Sequence, residues 1–253
     1  MFFEWGFGKT HCDLTALANK YFVDAKQVRT IIDDKLDIGL KARYLWPKYA
    51  SMEEDEHFRN AHWTCYDGKN PILWDNTGLH MYKPSEARLQ RATYSKYYCE
   101  NCCKGGIHCQ FCGWQGANEL WVGSISDTEY FRQTKILETQ TQFMQEHDTL
   151  HQKRLFLNIL DKGYRIVVPA WQSNHQLVLQ PAFVDSDWIF CSKAVFHSSC
   201  VASDRSGNER GVRYSKMSHR VRNGPHCSAD LRRFNNLWLM WNFQVNFMYK
   251  CVF

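Results

Sequence analysis

Apolar positions along this chain gather into short runs that end on acidic residues. The clearest is KRLFLNILDKGY, Lys153–Tyr164, in which Leu155, Phe156, Leu157, Ile159 and Leu160 are nearly continuous. Such a run suits a strand buried on both faces, and its length fits a turn of buried helix as well. The Asp161-Lys162 pair and Gly163 end it. Asp161 is therefore expected at the carboxyl end of a central strand, where open α/β sheets collect ligands and catalytic groups. A second run, Pro71-Ile72-Leu73-Trp74, leads into Asp75, Asn76 and Thr77. Either aspartate alone fits the start of a turn. Two strands that each deliver one point to a shared acidic site.

Other segments change period. Residues 13–41 predict two helices. Asp13 caps LTALANKY, with Leu14, Leu17, Ala18 and Tyr21 on one face, and Asp24 caps AKQVRTIIDDKL, with Val28, Ile31, Ile32 and Leu36 inward. Helix, tight turn, helix is the outline of a helix-turn-helix, in which Lys26, Gln27, Arg29 and Thr30 open the second helix. An ordinary helical hairpin gives the same pattern, and Asp33 and Asp34 favour it. The acidic run Glu53–Glu56 suits a helix start. Glu119–Ile125 reads as a strand, and TEYFRQTKILETQTQFMQEH as one helix with Phe131, Ile136, Phe143 and Met144 as core and Asp127 as its cap. An extended segment follows at Gln176–Phe183, then a helix over 187–202. A break at Gly207-Asn208 is expected next, with Glu209 opening a new helix that carries Arg210, Arg213, Lys216, His219 and Arg220. The C-terminal stretch places Leu231, Phe234, Leu237, Trp238 and Trp241 at helical spacing, as core or a docking face.

Composition narrows the class. The 253 residues are 44% hydrophobic and 23% charged, which is globular, and the length allows one large domain with a small one. A net charge of +5 and a pI near 8.6 permit a nucleic-acid partner without demanding one. The opening MFFEWGFGKT reads as no signal peptide, and no stretch has the length of a membrane span. The eleven cysteines are accordingly expected to be reduced and intracellular.

Four of those cysteines form two pairs, Cys99-x2-Cys102 and Cys109-x2-Cys112, the usual lead for zinc. Two facts count against a zinc module. Only six residues separate Cys102 from Cys109. Lys104–Trp114 also reads as a strand, on which residues three apart face opposite sides. A turn at Cys112-Gly113 would restore the geometry; otherwise the thiols are buried or adventitious. Just before them, SEARLQRATYSKYY interleaves bases with tyrosines, a pattern that lines nucleic-acid grooves and equally clothes a solvated helix. Glu209 among arginines is ordinarily a helix-start residue. It is also what a phosphodiester site requires, a metal ligand beside cations for phosphate.

Taken together, WDNT with Asp75, KPSEARLQRATYSKYYCEN, GSISDTEY with Asp127, NILDKGY with Asp161 and VASDRSGNERGV with Glu209 stand in a recognisable order. From about Asn70 to Val221 the chain resembles the nuclease domain of the DDE superfamily transposases, in the transposase type 4 branch near the Harbinger and insertion-sequence enzymes. The resemblance implies an α/β, RNase H-like fold, a mixed sheet flanked by helices, over residues 67–253. Residues 1–66 then form a helical, helix-turn-helix-like N-terminal region, short for a complete DNA-binding unit. It implies metal-dependent cutting and joining of DNA, on Asp75, Asp161 and Glu209 as catalytic and metal-binding acids, with Asp127 a further acid of less defined part. DNA is the implied partner, self-association into a homo-oligomer is implied, no membrane is involved, and the location is the nucleus, or the cytoplasm of a bacterial host.

Phosphodiester cleavage needs an activated nucleophile and neutralised charge at phosphorus, which two divalent ions about 4 Å apart supply. Hard Mg²⁺ or Mn²⁺ takes carboxylate oxygens. Asp75 is expected to bridge, with Asp161 and Glu209 each holding one ion, and Lys162, Arg205, Arg210 and Arg213 are candidate phosphate contacts. A non-catalytic DNA-binding relative with the same fold is the competing reading. A zinc module on Cys99, Cys102, Cys109 and Cys112 is the third.

Overall fold

The computed structural model describes residues 13–58, 69–147, 155–174, 176–182, 191–218, 221 and 231–248. Helices α1 (Leu14–Tyr21) and α2 (Ala25–Lys41) form a helical hairpin at the start. Asp13 Oδ1 accepts from Ala16 N at 2.6 Å, and Asp24 Oδ1 from Lys26 N at 2.5 Å, while Asp24 N donates back to Gln27 Oε1 at 3.1 Å. These caps satisfy first-turn donors that the helix itself leaves orphaned. Phe22 turns the chain between the helices in the left-handed region, at φ 54°. Helix α3 (Met52–Phe58) opens with a reciprocal cap between Ser51 and Glu54.

The sheet holds seven strands: β1 (Lys69–His80), β2 (Tyr94–Ser95), β3 (Glu100–Gln110), β4 (Gln115–Ala117), β5 (Trp121–Val122), β6 (Leu155–Ile159) and β7 (Leu177–Leu179). It is mixed. β1 lies between antiparallel β3 and parallel β6; β7 extends β6 in parallel; β2, β4 and β5 each pair antiparallel with β3. The remaining helices are α4 (Ala87–Thr93), α5 (Asp127–Gln133), α6 (Ile136–His147), α7 (Val168–Ser173), α8 (Ser192–Ser215) and α9 (Leu231–Met248).

Strand alternation sorts the core into two layers. Leu73, Leu79, Ile107, Leu157 and Ile159 pack under α8 and α9, against Val201, Phe234, Trp238 and Trp241. Ile72, Trp74, Phe156 and Leu160 point the other way, onto Phe131, Ile136, Phe143 and Trp171 of α5, α6 and α7. The architecture is thus α/β, a mixed, curled sheet flanked by helices on both faces. Helix α2 joins this body. Val28, Ile32 and Leu36 pack with Leu237 and Met240 of α9, and Arg233 forks both Asp33 oxygens at 2.5 and 2.7 Å. Only one side of α2 is covered, so Ile31, expected inward, is exposed, as are Lys26, Gln27, Arg29 and Thr30.

β1 runs past Asp75 to His80 beside β3, within the extended region expected over residues 71–82, and its parallel pairing with β6 ends at Leu73. Several expectations need correction. The long helix after Asp127 is two helices, because Lys135 adopts φ 52° between them. Its cap is Ser126, whose Oγ accepts from Glu129 N at 3.1 Å, and Asp127 is the first helical residue. No break occurs at Gly207-Asn208: α8 runs through both, so Glu209 lies mid-helix. The strand read at Glu119–Ile125 shrinks to Trp121–Val122. Phe183, residues 187–190, His219 and Arg220 lie outside the described residues.

Two polar arrangements hold the layers. Under the α6 face, buried Asn158 accepts from Trp74 Nε1 at 2.8 Å and from Gln140 Nε2 at 2.7 Å, and donates to Gln176 Oε1 at 2.9 Å. On the other side, α9 fastens the short strand β4. Gln115 N donates to Asn246 Oδ1 at 2.7 Å, and Asn246 Nδ2 donates to Gln115 O at 2.8 Å. Replacing Asn158 by Leu strands the Trp74, Gln140 and Gln176 groups in an apolar layer. The Asn158→Leu chain is expected to lose about 3 kcal/mol of stability, read as a lower midpoint in urea unfolding.

Candidate active site

Asp75 sits on β1 two residues beyond Leu73, so it faces α8 with Leu73 and Leu79. Asp161 follows Ile159 by two residues in extended backbone, at φ −79° and ψ 165°, and faces the same way. Leu73 pairs with Ile159 across the parallel strands. Continued by two residues, that register sets Asp75 beside Asp161 at the carboxyl ends of adjacent parallel strands. Of the three acids expected to converge, Asp75 and Asp161 are set side by side.

Their partners are sparse. Among the described residues, Asp75 Oδ1 accepts only from the next residue, Asn76 N, at 2.8 Å. Asp161 Oδ1 caps the 3-10 turn Lys162–Val167 through Lys162 N, and its Oδ2 lies 3.4 Å from Arg205 Nη2 of α8. Burial raises the Asp75 carboxyl to about 6; the Asn76 N–H and the Arg205 charge oppose this, and the Asp161 and Asp127 charges add to it. Lys216, at the carboxyl end of α8, is pulled below the usual lysine range by burial, with the Asp75 charge opposing.

Glu209 lies between those two cations along α8. Arg205, Glu209, Val212 and Lys216 follow one another at three- and four-residue steps and so share a side of the helix. Glu209 is exposed. Among the described residues, no three or more acidic, histidine or cysteine groups stand close enough to hold one metal ion, so Glu209 is not drawn onto the Asp75–Asp161 pair. Asp127 is on the reverse side. Its Oδ1 accepts from Asn76 Nδ2 at 2.7 Å and pairs with Lys104 Nζ at 3.1 Å, and Asn76 points away from Asp75 by strand alternation. Gly163 abuts it, since a Cβ there would lie 2.6 Å from Asp127 Oδ2. Asp127 therefore braces β1, β3 and the segment after β6. Among the candidate phosphate contacts, Arg205 is half-buried on Asp161, while Lys162, Arg210 and Arg213 are exposed.

The cysteine pairs are held apart by β3. Cys102 lies opposite His80 and Cys109 opposite Leu73 on one continuous strand. Seven extended residues span roughly 20 Å, too far for one ion. Burial also raises the Cys102 and Cys109 thiols, which opposes the thiolate that zinc requires. Cys112 is buried beside the turn at Gly113 (φ 90°), and Cys99 is exposed.

Sequence reading passed over Asn76, Lys104, Lys216 and Asn208. Asn76 sat in plain view beside Asp75. Lys216 was seen as a basic residue of a solvated face, and only the helix running unbroken past Gly207 puts it on the same side as Arg205. No family model, no curated protein and no solved structure matches the chain.

The raised Asp75 carboxyl has a stability consequence. A carboxyl near 6 in the folded chain and 3.8 unfolded binds more protons when folded, so stability is fullest below pH 3.8 and is lost as pH rises through 6. Asp75→Asn removes that loss. In the presence of a chelator it is expected to be more stable than wild type at pH 7.5, by up to about 3 kcal/mol, with the gain fading towards pH 4 in thermal melts.

Proposed function

We propose that the chain is a metal-dependent DNA nuclease of the DDE transposase type, with an RNase H-like nuclease domain. One observation carries the reading: Asp75 and Asp161 stand abreast on one face, at the carboxyl ends of adjacent parallel strands, with cations of α8 on either side. The mixed sheet flanked by helices is what an RNase H-like domain requires. The donor chemistry fits Mg²⁺ or Mn²⁺, because the two facing groups are hard carboxylate oxygens and Asp75 is short of positive partners. When bound, the ions would supply charge neutralisation at phosphorus and an activated oxygen nucleophile.

The chain's own residues have separable parts. Asp75 and Asp161 would hold the ions, and Glu209, on the helix side that also carries Arg205 and Lys216, stands towards the incoming substrate. Arg205 is poised to exchange Asp161 for a phosphate oxygen once the acid is engaged. Lys216 steadies negative charge at the far end, and Lys162, Arg210 and Arg213 offer contacts to the DNA backbone. A second reading, a non-catalytic DNA-binding relative, draws on the same Arg205–Asp161 pair, which neutralises one acid without any metal.

Supercoiled plasmid nicking in Mg²⁺ or Mn²⁺ separates them. Asp161→Asn and Asp75→Asn are each expected to lower the nicking rate at least about 100-fold, with Glu209→Gln close behind. Plasmid bound but left uncut by the wild-type chain in both metals would overturn the nuclease reading and leave the DNA-binding one.

A further inference from the structure

Helix α8 crosses the sheet obliquely, and its contacts fix where each turn lies. Arg205 meets Asp161 just past the end of β6. Six residues on, Gly211 lies so close to Cys109 Sγ of β3 that a Cβ would collide with it. Six helical residues advance about 9 Å, which is two strand spacings of about 4.8 Å. The strand between β6 and β3 is β1. Asn208, midway between Arg205 and Gly211, therefore lies over β1. Asp161 is abreast of Asp75, and Cys109 pairs with Leu73, which sets Asn208 above the stretch of β1 that holds Leu73 and Asp75; its Oδ1 lies 3.7 Å from where a Gly211 Cβ would stand.

Asn208 is turned fully inward, at 2% exposed. Among the described residues, neither its Oδ1 nor its Nδ2 has a hydrogen-bond partner, and Arg205 Nε, one helical turn earlier, has none. A buried amide left unpaired costs stability and is rare in folded chains. The unpaired amide lies above the strand that carries Asp75, whose carboxylate accepts from Asn76 N, while Asp161 caps Lys162 and pairs with Arg205. Asn158 and Asn242, also buried, are hydrogen-bonded, and Asn70, Asn118 and Gln176 each leave one amide nitrogen unpaired, whereas Asn208 leaves both of its polar atoms so. Asn208 stands out against them.

We propose that Asn208 completes a divalent-cation site with Asp75 and Asp161, its amide carbonyl oxygen serving as the third protein ligand. This rests on the nuclease reading and says which residues of that site hold the ion. Hard cations accept amide oxygens beside carboxylates. A neutral donor suits the innermost position, because a third buried carboxylate would add repulsion to a pair already short of positive charge. Among the described residues, no third acidic group joins the pair closely enough to hold one ion with it. Glu209, the next residue along α8, then stands on the solvent side of the ion, where substrate arrives.

The test is Mn²⁺ alone titrated into the full chain, with free Mn²⁺ followed by electron paramagnetic resonance and metal-free melting temperature measured alongside. Wild type is expected to bind and Asp161→Asn to lose binding. Asn208→Leu is expected to weaken Mn²⁺ binding at least about tenfold, yet to melt higher than wild type without metal, since an unpaired amide is replaced by an apolar group. A merely structural asparagine would do the reverse, lowering the melting temperature and leaving affinity alone, and that result overturns the proposal. Asn208→Asp keeps an oxygen donor and should keep Mn²⁺ binding while melting lower without metal; if the leucine variant does not fold, loss of binding in the folded aspartate variant overturns the proposal. Mn²⁺ binding that depends on Asp161 but is unchanged in Asn208→Leu removes Asn208 and leaves the nuclease reading standing. No Mn²⁺ binding by wild type, or binding indifferent to Asp161→Asn, overturns both.

Discussion

Everything at the site depends on the parallel register of β1 and β6. Leu73 pairs with Ile159, and because side chains alternate, the residues two beyond them share a face and a level. Slide either strand by one residue and one acid turns under the sheet. The register is held from both sides. Leu73, Leu157 and Ile159 are buried beneath α8 and α9, while Ile72, Trp74 and Phe156 are buried against α5, α6 and α7. Asn158, tied to Trp74 and Gln140, adds a directional constraint that apolar packing lacks. The Asp75 carboxylate itself works against the fold, since burial disfavours its charge, and packing on two faces keeps it in place.

Much of this arrangement was legible in the chain. An apolar run closed by an acid marks both strands, and the two central aspartates follow directly from it. The capped helices at Asp13 and Asp24 were equally plain. What local pattern did not contain was the choice of face. Asp127 follows an apolar stretch as Asp75 and Asp161 do, yet it lies with Asn76 on the reverse of β1, and nothing local distinguishes the three. The strand reading over Lys104–Trp114 already set the cysteine pairs apart, and one long strand, Glu100–Gln110, separates Cys102 from Cys109.

The reading of α8 failed through propensity. Gly207-Asn208 has the composition of a helix break. Tertiary packing overrides it, because Val201, Asn208, Gly211 and Ser215 form a continuous inward stripe and Gly211 lets the helix lie directly on Cys109. The helix after Asp127 errs in the opposite sense. Its sequence carries no glycine or proline at the bend, and the chain turns at Lys135 regardless, so that Phe131 and Ile136 both reach the same layer. Sequence pattern places the acids on strands; long-range packing decides which helix side they meet.

The two-way clasp between Asn246 and Gln115 bears on how the molecule behaves among its own copies. β4 is short and pairs with β3 alone, so its outer backbone groups are of the kind that recruit a foreign strand. Asn246 gives Gln115 both an acceptor and a donor, as a neighbouring strand would, and α9 lies over it. The amide of one side chain thus counterfeits a strand partner and closes that margin to edge-on aggregation. A chain that meets its own copies at high concentration gains from having its contacts confined to surfaces other than a bare sheet edge.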